Sequence, residues 1–123
     1  MTLDQILNAY LTAQVTLAGG RVYTDNAKQG CSRPYVVIVG VSDVEDFTLS
    51  GHNGLWESHR QISCFADSGA AARAVEQQVV VALKAWSAEG IHSVRIEDRY
   101  TVSDEISTLF HRAVDVEILH EGE

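Results

Sequence analysis

The chain has 123 residues, 46% hydrophobic and 21% charged, with one proline and nine glycines, which describes one folded domain, residues 1–123, long enough to bury a core. Seventeen Asp and Glu against nine Lys and Arg give a net charge of −8, and that balance disfavours a phosphate-binding surface, which needs clustered cations. Eight acids and six bases lie at or before Ser87, nine acids and three bases after it, so the C-terminal third carries most of the acidity.

Leu3, Ile6, Leu7, Tyr10, Leu11 and Leu17 recur at three-and-four spacing, and Thr2 with Gln5 has the form of a capping box, so the chain opens on an amphipathic helix. Gly19-Gly20 can take positive φ and is expected to end it. Arg21-Val22-Tyr23 reads as a short strand, followed by a polar loop from Thr24 to Arg33. Pro34 opens the strongest strand signal, Tyr35 to Val41, which is apolar on both faces and is expected inside a sheet. Ser42 to Gly54 turns polar and acidic, an extended excursion or protruding hairpin of the kind that carries contacts.

From Leu55 to Ala66 the chain alternates, with Trp56, Ser58, Arg60, Ile62, Cys64 and Ala66 on one side and Glu57, His59, Gln61, Ser63 and Phe65 on the other. Asp67-Ser68 then starts a long helix over 69–87, whose stripe of Ala72, Val75, Val79, Ala82, Leu83 and Trp86 marks the main core element. Gly90 stops the chain before two last strands, Val94–Tyr100 and Phe110–Leu119. In the latter Val114, Val116 and Ile118 face inward while Asp115 and Glu117 face water. The order predicts an α+β fold, a mostly antiparallel sheet of four to five strands with two α-helices packed on one face.

No chemistry-bearing pattern assembles locally. The histidines, His52, His59, His92, His111 and His120, form no H-x-x-x-H or H-x-E spacing and are expected on exposed loops or strand faces, with no metal or cofactor implied. No nucleophile elbow is present, and the adjacent carboxylates Glu97-Asp98 and Asp104-Glu105 should diverge into solvent. Cys31 and Cys64 are too few and too differently placed for a disulfide framework and read as free thiols. The N-terminal residues lack a cationic-then-apolar leader, and no apolar run is long enough to span a bilayer, so a soluble protein without a membrane partner is expected. Scattered basic residues give no nucleic-acid footprint. Trp56 reads equally as core or as a partner anchor.

The succession of segments is more informative than any one of them. Gly-Gly-Arg-Val-Tyr after a first helix, Gln29-Gly30 before Pro34-Tyr35-Val36-Val37, a Gly-containing acidic loop, Gln61 to Ala66, a long Ala-rich helix and a final Phe110-His111-Arg112 strand together resemble the small tail-completion proteins of long-tailed bacteriophages and phage-like particles, including tail terminators and tail-to-head joining proteins. The resemblance runs from about Leu3 to Leu119. It implies a structural virion component, not an enzyme. Such a subunit assembles with itself, usually as a six-membered ring, at the head-proximal end of the tail tube. There it stops tube growth and meets the head connector or head-closure protein, after assembly in the host cytoplasm.

A domain of this length has a radius of gyration of roughly 14 Å, hence a diameter of about 35 Å, and six in a ring leave a hole of about that width, enough for a duplex. DNA would pass through without specific binding. Asp43, Glu45 and Asp46, or the acidic face of the last strands, are expected to rim that channel and repel phosphates, with Trp56 as a further partner contact. Two other readings stay open on the residues alone: a head-closure or connector protein of the same particle, and a small α+β enzyme or ligand-binding domain.

Overall fold

Thr2 lies in extended backbone, its hydroxyl accepting from the Gln5 amide (3.2 Å) while the Gln5 side chain accepts from the Thr2 amide (2.9 Å), so the expected capping box starts α1, Leu3–Gln14. The computed structural model describes residues 2–26, 32–48, 51–102 and 110–121, and the side chains of 46–48 and 51–53 fall outside that description. Cys31, the Gln29-Gly30 pair and Asp104-Glu105 therefore lie outside it as well.

Leu3, Leu7 and Leu11 form the buried stripe of α1. The helix stops before the Gly19-Gly20 pair, because Val15 leaves helical geometry, Thr16–Ala18 make one 3-10 turn and Gly19 then supplies the positive φ of 58°. That turn swings Leu17 outward to 48% exposure, although its spacing predicts the core.

The strands are β1 (Val22–Thr24), β2 (Tyr35–Thr48), β3 (Gly51–Ala66), β4 (Ile91–Val102) and β5 (Phe110–Glu121), with α2 (Gly69–Lys84) between β3 and β4. They form one sheet in the order β1-β2-β3-β5-β4. The α+β class holds. The sheet is mixed, since β1 runs parallel to β2 while the other pairings are antiparallel. The connection over 25–34 could reach about 33 Å if extended, ample to carry the chain back past a three-residue strand.

Ile38, Ile62 and Val114 are cross-strand neighbours, and with Val36, Cys64, Val116 and Ile118 they give the sheet one apolar face. A single buried cluster joins that face to Leu3, Leu7 and Leu11 of α1 and to Val75, Val79, Val80 and Leu83 of α2. Each such aliphatic side chain contributes roughly 1.5–3 kcal/mol of burial. Trp86 closes the cluster, stacked on Tyr10 with ring centroids 5.3 Å apart. Among the described residues no helix is long and apolar enough to cross a membrane.

The stretch from Ser42 to Gly54, expected as an extended excursion or protruding hairpin, is mostly strand and pairs as the two arms of a hairpin, which makes β2 and β3 longer than the sequence predicts. Asp43 pairs with Ser58, Val44 with Glu57 and Glu45 with Trp56, across register shifts at Gly40/Ser42 and Glu45/Phe47. The cross-strand partner, not local composition, makes this segment extended. Because β5 reaches only to Leu55 and β1 covers only Val36 to Ile38, the β2–β3 ribbon runs on as two strands beyond the sheet. Val41 is 63% exposed for the same reason, although its place in an apolar run predicts burial.

Candidate functional site

At the base of the ribbon, β2, β3, β5 and the start of α1 enclose an open cleft of about 440 Å³ lined by Thr2, Asp4, Asp43, Trp56, Ser58, Arg60 and His120. Alternation along β3 places Trp56, Ser58 and Arg60 on one side, as the sequence predicts. Arg60 is only 5% exposed and is fully engaged: Nε donates to Asp4 Oδ1 (2.8 Å), Nη2 to Asp43 Oδ1 (2.8 Å), and Nη1 to the carbonyls of Ser42 (3.2 Å) and His59 (3.0 Å).

Ser58 Oγ donates to Asp43 Oδ1 (2.6 Å) and lies 2.7 Å from His120 Nε2, whose Nδ1 is 2.8 Å from the Glu121 carbonyl oxygen. One arginine thus ties the first helix to the ribbon, and one serine ties the ribbon to the last strand.

Electrostatics follow from this wiring. Partial burial works against ionisation of Asp43, but the hydrogen bonds from Ser58 and Arg60 and the Arg60 charge outweigh it and hold the carboxyl below its ordinary range. Burial likewise opposes the Arg60 cation, and the bonds to Asp4 and Asp43 raise its pKa in spite of it.

Of the candidate contact residues, Asp43 and Trp56 line the same cleft. Glu45 is the cross-strand partner of Trp56, and the side chain of Asp46 lies outside the described residues. His120, expected to be exposed, is buried, because its strand position faces the side covered by the ribbon base. His92 is exposed, and His59 and His111 are partly covered.

A second ionic cluster pins α2 to the sheet. Glu76, 1% exposed, receives Arg112 Nη2 (2.8 Å), Arg112 Nε (3.2 Å) and Arg99 Nε (3.2 Å). Burial disfavours the charged carboxyl, yet the two guanidinium groups prevail and its pKa is lowered. Beside it, burial first and the Glu76 charge second push the Cys64 thiol up to about 12, so this free cysteine is a core residue without thiolate character.

The sheet face away from the apolar cluster is acidic. Alternation brings Glu57, His59 and Gln61 of β3 together with Asp115 and Glu117 of β5, and β4 adds Arg95, Glu97 and Tyr100. His59 Nδ1 is 2.8 Å from Glu97 Oε1, and Arg95 Nη2 donates to Glu117 Oε2 (2.6 Å). Ligand atoms of His59, Glu97 and Glu117 lie within 4.8 Å of one another, but Arg95 already supplies a cation to both carboxylates. At one corner of this face Tyr35, Phe65 and His111 stack in series, with centroids 4.9 and 4.1 Å apart. Burial there lowers the pKa of His111, whose Nε2 has no hydrogen-bond partner among the described residues.

Arg60, Asp4 and Glu76 escape a reading of the sequence as site residues. Arg60 and Asp4 are 56 residues apart, and only the fold joins them. Glu76 does leave a signal, since positions 72, 76, 79 and 83 share one helical stripe, and a carboxylate there requires a buried counter-ion.

Among the described residues the polar groups of the cleft bond to one another and to the backbone, and the sheet face away from the apolar cluster is acidic. The architecture is that of an α+β domain with one mixed sheet. Residues 5–121 match the family described as Tail completion protein gp17, nearly the whole chain, and the protein belongs to that family of structural phage-tail components. Its fold is shared with a chain from a solved virion of a native gene transfer agent particle, at a TM-score of 0.74 and 19% identity over 94% of this chain and 95% of that one. No curated protein matches the sequence.

Proposed function

We propose that the protein is a tail terminator. Copies of it form a closed ring, six-membered as the resemblance implies and wide enough at that number to pass a duplex, on the head-proximal end of the tail tube, stop tube growth and present a surface to the head connector. The observation that carries this reading is the two-sidedness of the domain, added to its family. One sheet face packs into the apolar cluster with α1 and α2, and the other, among the described residues, holds Glu57, Glu97, Asp115 and Glu117 against Arg95. In a ring with that bare face inward, repeated carboxylates would keep phosphate from adhering as DNA moves.

Of the two acidic candidates for the channel, the last strands fit better than the ribbon. Asp43 shares Arg60 with Asp4, so part of its charge is neutralised within the subunit. Negative-stain imaging of tail tubes mixed with the purified protein tests the terminator assignment. A ring at one end of each tube is the expected result, with tubes of irregular length in particles that lack the protein. Uncapped tubes of uniform length in both cases would contradict it.

A further inference from the structure

His120, Ser58 and Asp43 form a chain of side chains across β5, β3 and β2 whose protons can be counted. Burial works against the charge of Asp43, but the bonds from Ser58 and Arg60 outweigh it and keep the group ionised, and a carboxylate only accepts. The single hydroxyl proton of Ser58 is therefore spent on Asp43 Oδ1, 2.6 Å away. Nothing is left on that hydroxyl to donate to His120 Nε2 at 2.7 Å, so the ring nitrogen is the donor. On the other side of the ring, Nδ1 lies 2.8 Å from the Glu121 carbonyl oxygen, which also only accepts. An imidazole that donates from both nitrogens is an imidazolium. Ser58 is fully buried and His120 is 6% exposed, so solvent does not serve in place of either partner.

These bonds cross the sheet where it narrows. β1 covers β2 only as far as Ile38, and β5 covers β3 only as far as Leu55. Asp43 also lies between the two register shifts of β2, at Gly40/Ser42 and Glu45/Phe47, so the backbone ladder is interrupted on either side of it and its side-chain bonds fix the segment. Among the described residues, the charged and titratable groups around the ring are Asp43 and Glu45 of β2, Arg60 of β3 and Asp4 of α1, with Glu121 of β5 and His92 of β4 paired behind it at 3.5 Å. Carboxylates outnumber the one arginine there, and a further cation is accommodated.

We propose that His120 is an imidazolium in the folded protein at neutral pH, and that its Nε2 proton latches the base of the β2–β3 ribbon to the last strand. Loss of that proton leaves one hydroxyl hydrogen between two acceptors, Asp43 Oδ1 and His120 Nε2. Ser58 then satisfies only one of them, and the joint opens on the other side. The latch is closed between the pH at which Asp43 becomes ionised and the pH at which His120 gives up its proton, and it weakens above that. Trp56 is the cross-strand neighbour of His120 and lines the same cleft, so the proton also sets where that candidate contact stands.

The test is nuclear magnetic resonance of the full-length, nitrogen-15-labelled protein from about pH 5 to about pH 9, a range that spans the titration of an ordinary histidine. The His120 ring is read by its two-bond proton–nitrogen couplings and assigned by through-bond correlation to its backbone. Both ring nitrogens should be protonated near pH 7. Amide exchange over residues 42–45 and 56–58, relative to α2 and corrected for the intrinsic effect of pH, should rise roughly threefold to tenfold once the ring has lost its charge, the worth of one modest hydrogen bond. In Ser58→Ala, which keeps the histidine and removes the joint, that rise should disappear. A ring with one bare nitrogen near pH 7 overturns the proposal. So does a protonated ring whose titration leaves exchange in the ribbon unchanged, or a rise that survives in Ser58→Ala.

Discussion

Two arginine–carboxylate clusters hold this domain together, and their stoichiometries are inverted. Under α2, one buried carboxylate, Glu76, takes two guanidinium groups, Arg99 and Arg112. At the ribbon base, one buried guanidinium, Arg60, takes two carboxylates, Asp4 and Asp43. In the first the group without access to water is an acid whose loss strands two cations against the core. In the second it is a base whose loss frees two carboxylates at the edge of an open cleft, where water can reach them. The first is therefore a staple between layers. The second positions a ribbon and leaves net negative charge where a partner can meet it.

The difference can be broken most severely at Glu76. Replacing it with Ala should destabilise the fold by about 3 kcal/mol, the cost of removing one partner of a buried ionic group, read as a lower denaturation midpoint at unchanged m-value. The pH dependence sharpens the point. Because the Glu76 carboxyl titrates lower in the folded than in the unfolded chain, its contribution is fully present above the unfolded value of about 4.3. It is lost as pH falls through the folded value. The gap in midpoint between the natural protein and Glu76→Gln should thus be widest near pH 7 and close on acidification. A gap independent of pH would show that the carboxylate charge is not what matters.

A smaller loss is expected at Arg60. Arg60→Ala removes charge-assisted bonds worth about 2 kcal/mol, moderated because Asp4 and Asp43 are partly exposed and can be rehydrated. The effect should fall on the ribbon first, with faster amide hydrogen exchange over residues 42–45 than over α2. Uniform acceleration across both would erase the distinction between staple and positioning group.

How far the fold could be read from sequence divides along the same line. Local signals sufficed for α1, whose capping box is present, for the α2 stripe and for the alternation of β3 and β5, because periodicity and capping act within a few residues. They left Ser42 to Gly54 between an excursion and a hairpin, because an acidic, glycine-containing stretch is held as strand only by its partner strand, and they failed at Leu17, which a 3-10 turn rotates out of the core. The candidate site was half legible. Asp43 and Trp56 do share one cleft, but their organiser, Arg60, is one of nine scattered bases until the fold brings Asp4 to it. His120 is a comparable case, buried by a neighbour that its own sequence context does not reveal.

The central claim is that the bare acidic sheet face is turned to the DNA path while the other face builds the subunit. The most direct measurement is DNA release from particles carrying Glu97→Gln/Asp115→Asn/Glu117→Gln, which preserves side-chain shape and removes three charges per subunit. The account predicts assembled particles with intact capped tails that eject DNA more slowly than the natural ones, most clearly at low ionic strength, where screening is weakest. Ejection at the natural rate from fully assembled particles would contradict it.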